Sequence, residues 1–364
     1  MREIRVSIAV IVCLLICFGV VMIYSASGIY ALQAQGRTVY YLNRHLVFLA
    51  VGFFLTGLIM AYDYRRYRTY SKLFVGIAFA LLILVLIPGI GSVTFGAQRW
   101  FRWGMMSFQP SEYAKLALLI YAADFLARKQ SKIKQFREGC LPLLLISGSM
   151  SLLILLQPDL GNALFILILT SILMILAGTR WLYFGILSLL ALPAFYFVVV
   201  RVPYRWLRIV SFLDPWQDPQ GKGFQLIQSQ IALGSGGFWG VGLGQSKQKL
   251  FYLPAAHTDF IFSIIGEELG FLGTCSIILL FMLLIWQGAR VAKRTSDPFG
   301  YFLAVGIVAM LGLQAVLNIG VSIGALPTKG LPLPFISYGG SSLVFNMMAV
   351  GLLLNIARIH DLNR

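Results

Sequence analysis

The lengths of the apolar runs leave this chain few ways to fold. Near residues 7–27, 45–62, 73–90, 111–127, 140–157, 161–178, 182–200, 259–287, 299–325 and 341–358 the sequence is almost wholly apolar. Each run approaches the roughly 17–25 residues that a helix needs to cross a ~30 Å hydrocarbon core. A soluble fold could not hide so much apolar surface: 59% of the 364 residues are hydrophobic and 12% are charged, where soluble domains are about a quarter charged. In lipid, each segment must satisfy its own backbone polar groups, so the runs are read as helices. The expected class is an all-α integral membrane protein with about ten transmembrane helices, one polytopic domain over residues 1–364. The first run is too long for a signal-peptide core and lacks a small-residue cleavage site, so it is the first span. Cys13, Cys17, Cys140 and Cys275 lie within or beside the runs at neither metal nor disulfide spacing, and are read as small hydrophobes.

An even number of spans puts both termini on one side. The basic segments "YRRYRTYSK" (64–72), "RKQSKIKQFR" (128–137) and "ARVAKR" (289–294) fall on that side with Arg2, Arg5, Arg180, Arg358 and Arg364, so that it holds roughly 17 of the 29 Lys and Arg and is cytoplasmic by the positive-inside rule. The formal charge of +16 is then a topology signal and an attraction for anionic lipid, not a nucleic-acid footprint. The opposite, outer face carries one long connection, 201–258, between the seventh and eighth spans. Loops of that length are usually functional or disordered, and this one has a helical pattern. In "GFQLIQSQIALGSGG", Phe224, Ile227 and Ile231 share one face while Gln225, Gln228 and Ser229 share another, which predicts an amphipathic helix at the membrane surface. The glycines of "GSGGFWGVGLG" follow no strand. They are read as turns that let backbone pack closely, not as a nucleotide-binding loop.

Ionisable groups inside the hydrocarbon cost several kcal/mol, so each needs a partner or a task. "HTDFIFSIIGEELG" (257–270) brings Asp259, Ser263 and Glu267 onto one helical stripe, with Glu268 turned about 100° away. Glu267 and Glu268 are expected to pair with basic groups toward the cytoplasmic half. Asp259 has two readings: a cap, with or beside Thr258, at a helix N-terminus, or a reactive carboxylate at its water-accessible end. In "GAQRWFRWGMMSFQPSEYAKLALLIYAADF" (96–125), Ser111 is expected to cap a helix, and Glu112 and Lys115 stand three apart as a buried ion pair. Arg99 and Arg102, interleaved with Trp100 and Trp103, are either interfacial anchors or holders of lipid-linked phosphate, which a guanidinium fork suits. "LPTKGLPLPFISYGGSS" (326–342) is an irregular outer turn that Lys329, Ser337, Tyr338 and Ser341 would line. Such backbone is tolerated at membrane depth only when buried in protein or facing a cavity. All three constellations open on the outer face, which moves Asp259 from cap toward catalyst.

These same motifs carry a resemblance. "GFQLIQSQIALGSGGFWGVGLGQSKQKLFYLPAAHTDFIFSIIGEELG", "FQPSEYAKLALLIYAADF" and "PTKGLPLPFISYGGSSL", in that order, resemble the SEDS family (shape, elongation, division and sporulation), its FtsW branch more than its RodA branch. Two departures are Ala255, where the family often has Glu, and Gln98, where it often has a second basic residue. The resemblance implies a peptidoglycan glycosyltransferase of the bacterial cytoplasmic membrane that polymerises lipid II at the outer face of the division septum. It further implies a class B penicillin-binding protein transpeptidase as partner, with other divisome proteins, and the family's essential aspartate falls on Asp259. Glu112 and Lys115, with Ser263 and Glu267, are expected to support the central cavity. Arg99, Arg102, Gln225, Gln228, Ser229, Lys249, His257, Lys329, Ser337, Tyr338 and Ser341 are the candidates to bind substrate. No cofactor is required by the sequence, although a divalent cation could share the charge of the pyrophosphate. The rivals are a lipid II flippase, a scaffold that recruits the transpeptidase, and an elongation-type polymerase of the RodA kind. No internal repeat favours the flippase.

Overall fold

The computed structural model describes residues 1–94, 97–104, 106–221, 223–250, 252–254, 256–328 and 330–362. The helices are α1 (Arg2–Gln35), α2 (Tyr40–Ala61), α3 (Tyr64–Thr69), α4 (Ser71–Leu84), α5 (Pro110–Arg128), α6 (Leu141–Leu156), α7 (Leu160–Leu176), α8 (Trp181–Phe195), α9 (Pro203–Leu213), α10 (Phe224–Ser235), α11 (Ile261–Arg294), α12 (Pro298–Ser322) and α13 (Gly340–Leu362). A small antiparallel sheet, β1 (Ser92–Thr94), β2 (Ala97–Trp103) and β3 (Met106–Phe108), lies between α4 and α5. Each of the ten apolar runs coincides with a helix. Among the described residues, seven helices are long and apolar enough to cross a membrane unaided, while α4 and α7 are shorter apolar helices. The remaining one, α5, is nineteen residues long and carries Glu112, Lys115, Asp124 and Arg128.

The bundle is layered around α5, α12 and α13, which are buried along most of their length. α5 packs between α4 and α12, α13 lies along α2, and α1 and α12 flank α11. α8 is peripheral, its described side chains mostly exposed as a lipid-facing helix's would be. At one end the basic segments converge. Asp124 accepts from Arg68, Arg128 and Ser71, and the Tyr64 hydroxyl donates to Asp297 beside the end of α11. Asp259 and the 201–258 connection occupy the other end, called here the loop face.

Three elements differ from what the sequence suggests. α11 is not a uniform span: it starts at Ile261, after Asp259, and is broken at Gly270 (φ 67°, ψ −161°). A left-handed residue inside a helix requires glycine, and a Cβ there would fall 2.3 Å from the backbone nitrogen of Gly240. Residues 97–103, read as headgroup anchors, instead form the central strand of the sheet. The long connection also contains a second surface helix, α9, with no buried residue. It places Trp206 and Leu213 on one side and Arg205 and Arg208 on the other. α10 is present, but its buried residues are Leu226, Ile227, Ser229 and Ala232, while Ile231 faces outward. The face expected to carry polar contacts is therefore partly the one that packs on α11.

Candidate active site

Asp259 sits in the turn before α11, outside the membrane-spanning helix. The N-cap position belongs to Phe260 and no side chain caps it, so Asp259 is not a cap. Its backbone carbonyl accepts from Asn318 Nδ2 at 2.9 Å, and the same amide donates to the Leu331 carbonyl at 2.8 Å. One side chain of α12 thus ties the aspartate to the 326–336 turn. On the other side Gly330 comes so close that a Cβ there would lie 3.1 Å from Asp259 Oδ2. Burial pushes the Asp259 carboxyl up to about 7; the Arg208 guanidinium on α9 opposes this and the Asp159 carboxylate adds to it. A carboxylate that titrates near neutrality is suited to accept a proton at the working pH. His257, two residues earlier, is pushed down to about 4 by burial, which makes it a neutral and weak base.

Asp159 is held in place by its neighbours. It caps α7 through Asn162 and accepts from Gln109 Nε2 at the neck of α5. Arg99 donates from Nε to the Gln157 carbonyl at 2.9 Å and from Nη2 to the Pro158 carbonyl. This expected phosphate holder is thus occupied in supporting the Asp159 turn. Arg102, from the same strand, is exposed and close enough to act on the Tyr338 hydroxyl.

The remaining candidates divide between structure and surface. Lys115 Nζ bonds Glu112 Oε1 at 2.7 Å, with both side chains buried, and lies 4.9 Å from the Phe165 ring centroid. Ser111 does not cap α5: Gln109 holds the N-cap position, followed by Pro110, and the Ser111 hydroxyl is buried without a partner. Ser229, fully buried, shares its hydroxyl with Ser263 at 2.6 Å and donates to the Ser322 carbonyl. Ser337 accepts from the Leu333 amide, and Ser341 links the Gln109 amide to the Ser107 carbonyl. Gln225, Gln228, His257 and Tyr338 are half-buried at the loop face, whereas Lys329 lies outside the described residues.

Glu267 and Glu268 hold the loop face together, not the cytoplasmic half. Glu267 accepts from the Ser246 hydroxyl and from the amides of Lys247 and Gln248. Glu268 accepts from Lys249 Nζ at 2.8 Å and from Ser25 on α1. Lys249 is therefore committed to an ion pair of which both members are buried.

Asn318, Arg208 and Asp159 were missed. An amide at position 318, one turn after Gln314 in an otherwise apolar span, is a signal that could have found Asn318. The alternation of basic and apolar residues in "PYRWLRIVSFL" could likewise have revealed Arg208. Among the described residues no three His, Cys, Asp or Glu side chains gather as a metal ion would require. The divalent-cation expectation rests on pyrophosphate chemistry alone.

Residues 5–361 match the family described as "Cell cycle protein", the FtsW/RodA/SpoVE family. The chain belongs to it. Stage V sporulation protein E of Bacillus subtilis is 48% identical over 352 residues, covering 96% of each chain. A protein of Geobacter sulfurreducens named probable peptidoglycan glycosyltransferase FtsW is 49% identical over 344 residues, covering 94% of this chain and 92% of that one. Among solved structures, one described as the structural coordination of polymerization and crosslinking by a peptidoglycan synthase complex superposes with a TM-score of 0.79. It is 32% identical and covers 99% of this chain and 98% of that one. Thermus thermophilus rod shape determining protein RodA superposes at 0.70 with 29% identity, covering 96% and 95% of the two chains.

Proposed function

We propose that this protein is a peptidoglycan glycosyltransferase that joins lipid II units into glycan strands during septal wall synthesis, with Asp259 as general base. The observation that carries the mechanism is the Asp259 carboxyl, raised to about 7 by burial and fixed through its backbone by Asn318. The activity itself is supported by relatives named peptidoglycan glycosyltransferase that cover nearly the whole chain. The septal role is supported by the family description, cell cycle protein, and by identities of 48–49% to relatives named FtsW and stage V sporulation protein E against 29% to one named RodA.

In this reading an acceptor sugar hydroxyl attacks the anomeric carbon of a donor. The new bond is O–C1, the bond that breaks joins C1 to the pyrophosphate of the carrier lipid, and the hydroxyl proton passes to Asp259. A positioned base of this kind contributes about 10²–10⁴-fold. Arg102 and Arg208, exposed on the same face, offset the charge that develops on the leaving pyrophosphate. His257, at about 4, is too weak a base to compete with Asp259. The basic end of the bundle is the cytoplasmic one, which sets the loop face outside, where a class B penicillin-binding protein would crosslink the product.

The test is polymerisation of lipid II by the protein purified with its cognate transpeptidase, wild type against Asp259→Asn. The expected result is polymer from wild type and none from a folded, partner-bound variant. Normal polymer from the variant would remove Asp259 from the chemistry. No polymer from either, with lipid II crossing liposome membranes, would replace the reading with a transporter.

A further inference from the structure

Four aromatic rings from four separate elements meet at His257, two residues before Asp259. Tyr30 comes from α1, Tyr41 from α2, His257 from the turn before α11, and Tyr338 from the turn before α13. Ring centroids are 4.7 Å apart for Tyr41 and His257, 5.2 Å for Tyr41 and Tyr338, 5.5 Å for Tyr30 and His257, and 5.8 Å for His257 and Tyr338. None of these pairs is stacked: their planes cross at 32° to 82°, so the rings are not closed face to face against one another. The cluster is not core either. Tyr30 is 42% exposed and the other three are half-buried.

The way the chain reaches this arrangement is informative. α1 has 34 residues, about 50 Å at 1.5 Å per residue, well beyond a ~30 Å hydrocarbon core. Its last turns therefore extend into the loop face and carry Tyr30 there. The Tyr338 amide donates to the His257 carbonyl at 3.0 Å, which locks two of the rings together. Because His257 is two residues from Asp259, its Cα lies within about 7 Å of the Asp259 Cα, so the cluster is tethered to the carboxylate by a single short turn. Burial keeps the His257 imidazole neutral near pH 7, so the cluster presents flat, uncharged faces. The fully buried His45 lies 6.4 Å from the Tyr338 ring, and neither of its ring nitrogens has a partner, a cost that a polar occupant or water would relieve. Arg44 flanks the cluster: its Nη1 is 3.4 Å from the Tyr40 hydroxyl and its guanidinium 5.7 Å over the Tyr40 ring.

We propose that Tyr30, Tyr41, His257 and Tyr338 form a sugar-stacking platform that holds one N-acetylhexosamine ring of the substrate against Asp259, with Arg44 at its edge engaging a hydroxyl or phosphate oxygen. This rests on the glycosyltransferase reading. The physical basis is that the C–H bonds on one face of a pyranose carry partial positive charge, while an aromatic face is negative. Three phenols and an imidazole offer such faces together with polar rims for the ring hydroxyls. A guanidinium fork suits the adjoining oxygens. Asp259 alone could not register a flexible lipid-linked glycan, and binding energy remote from the reacting bond is what positions it.

The experiment uses the full chain with its cognate transpeptidase and compares lipid II kinetics for wild type, Tyr41→Leu, Tyr41→Phe and Tyr30→Leu. We expect Tyr41→Leu and Tyr30→Leu to raise KM about tenfold with kcat within about threefold, the pattern of lost substrate binding. Tyr41→Phe, which keeps the ring, should recover most of that loss. A second readout is saturation-transfer NMR with a water-soluble N-acetylglucosaminyl-N-acetylmuramic acid disaccharide, which has neither lipid nor pyrophosphate. Its signal should be present with wild type and lost in both Leu variants. Wild-type KM in the Leu variants, or a fall in kcat alone with a lowered unfolding temperature, would overturn the platform. If wild type makes no polymer, the glycosyltransferase reading fails. The disaccharide signal then decides the platform by itself: loss of the signal in the Leu variants keeps it, and an unchanged signal removes it.

Discussion

Replacing Asp259 by Asn should inactivate the protein and stabilise it, and the gain should depend on pH. The carboxyl is raised from 3.8 to about 7, chiefly by burial. At about 1.4 kcal/mol per pH unit, keeping it ionised in the folded state costs about 4 kcal/mol above pH 7. That whole cost is expected in the folded state, because the pKa shift and the stability change are the same free energy. The sign follows from proton binding. Between pH 3.8 and 7 the folded state holds the proton and the unfolded state does not, so stability falls as pH rises through that window and then levels. Asparagine has no such term. Unfolding temperatures in detergent should therefore coincide for the two proteins near pH 4 and separate progressively, Asp259→Asn being higher by about 5 °C at pH 8. In the same window wild-type kcat/KM should fall about tenfold per pH unit below 7, as a base that must be deprotonated requires. A gain that is absent at pH 8, or equal at every pH, would show that the carboxylate is solvated and not held in a dry site. An activity profile that breaks near 4 would refute the raised base directly.

Three further outcomes follow from the same geometry. Arg208→Gln removes the positive charge that opposes the rise at Asp259, so the pH–activity profile should move to higher pH by a few tenths of a unit, as titrating lipid II polymerisation from pH 5 to 9 would detect. Asn318→Ala leaves the Asp259 and Leu331 carbonyls without their donor. It should cost about 1–3 kcal/mol of stability and about 10–100-fold in kcat through misplacement of the base, as melting and polymerisation assays would reveal together. Lys115→Met or Glu112→Gln each strands one member of a buried pair and should lower stability by about 3–5 kcal/mol. The double variant should lose less than either single one, a comparison that a double-mutant cycle in detergent settles.

The spans were legible because lipid imposes a length and an apolar composition that no neighbour can override, and every apolar run became a helix. Asp259 was legible for a related reason: a carboxylate at the mouth of such a run must be explained. Less local features were not. Nothing in "GAQRWFRWGMM" marks a strand, since its polar and apolar residues do not alternate and its pairing is with the two short segments either side. Arg99 could be recognised as a guanidinium near phosphate depth, but its partners, the carbonyls of Gln157 and Pro158, are brought to it only by the fold. Lys249 and Ser229 drew attention as polar side chains in a functional loop, and both were absorbed by buried partners on α11. Tyr30 and Tyr41 belong to no motif of the sequence, and only the packing of α1 and α2 brings them to His257.

The break at Gly270 explains why the glycine-rich segment and the two glutamates occur together. In an uninterrupted helix the amides of Phe271 and Leu272 would bond the carbonyls of Glu267 and Glu268. The left-handed glycine separates them and strands four backbone groups near membrane depth, where each would cost several kcal/mol. The chain at 236–242 takes all four: Val241 and Gly242 donate to the Glu267 and Glu268 carbonyls, and Phe271 and Leu272 donate to those of Gly237 and Phe238. Such an approach tolerates no side chain, for a Cβ at Gly236 or Gly240 would fall 1.9 Å or 2.2 Å from a carbonyl oxygen of α11. With the backbone spliced in this way, the two glutamate side chains are released from any need to pair along the helix. They diverge, one to the Ser246 hydroxyl and the amides of Lys247 and Gln248, the other to Lys249 and Ser25. The segment that leads to Asp259 is therefore anchored at its start by the glutamates and at its end by Asn318 and by the amide of Tyr338. A helix that ran straight through residue 270 would bond its own carbonyls and leave the start of that segment without this anchor.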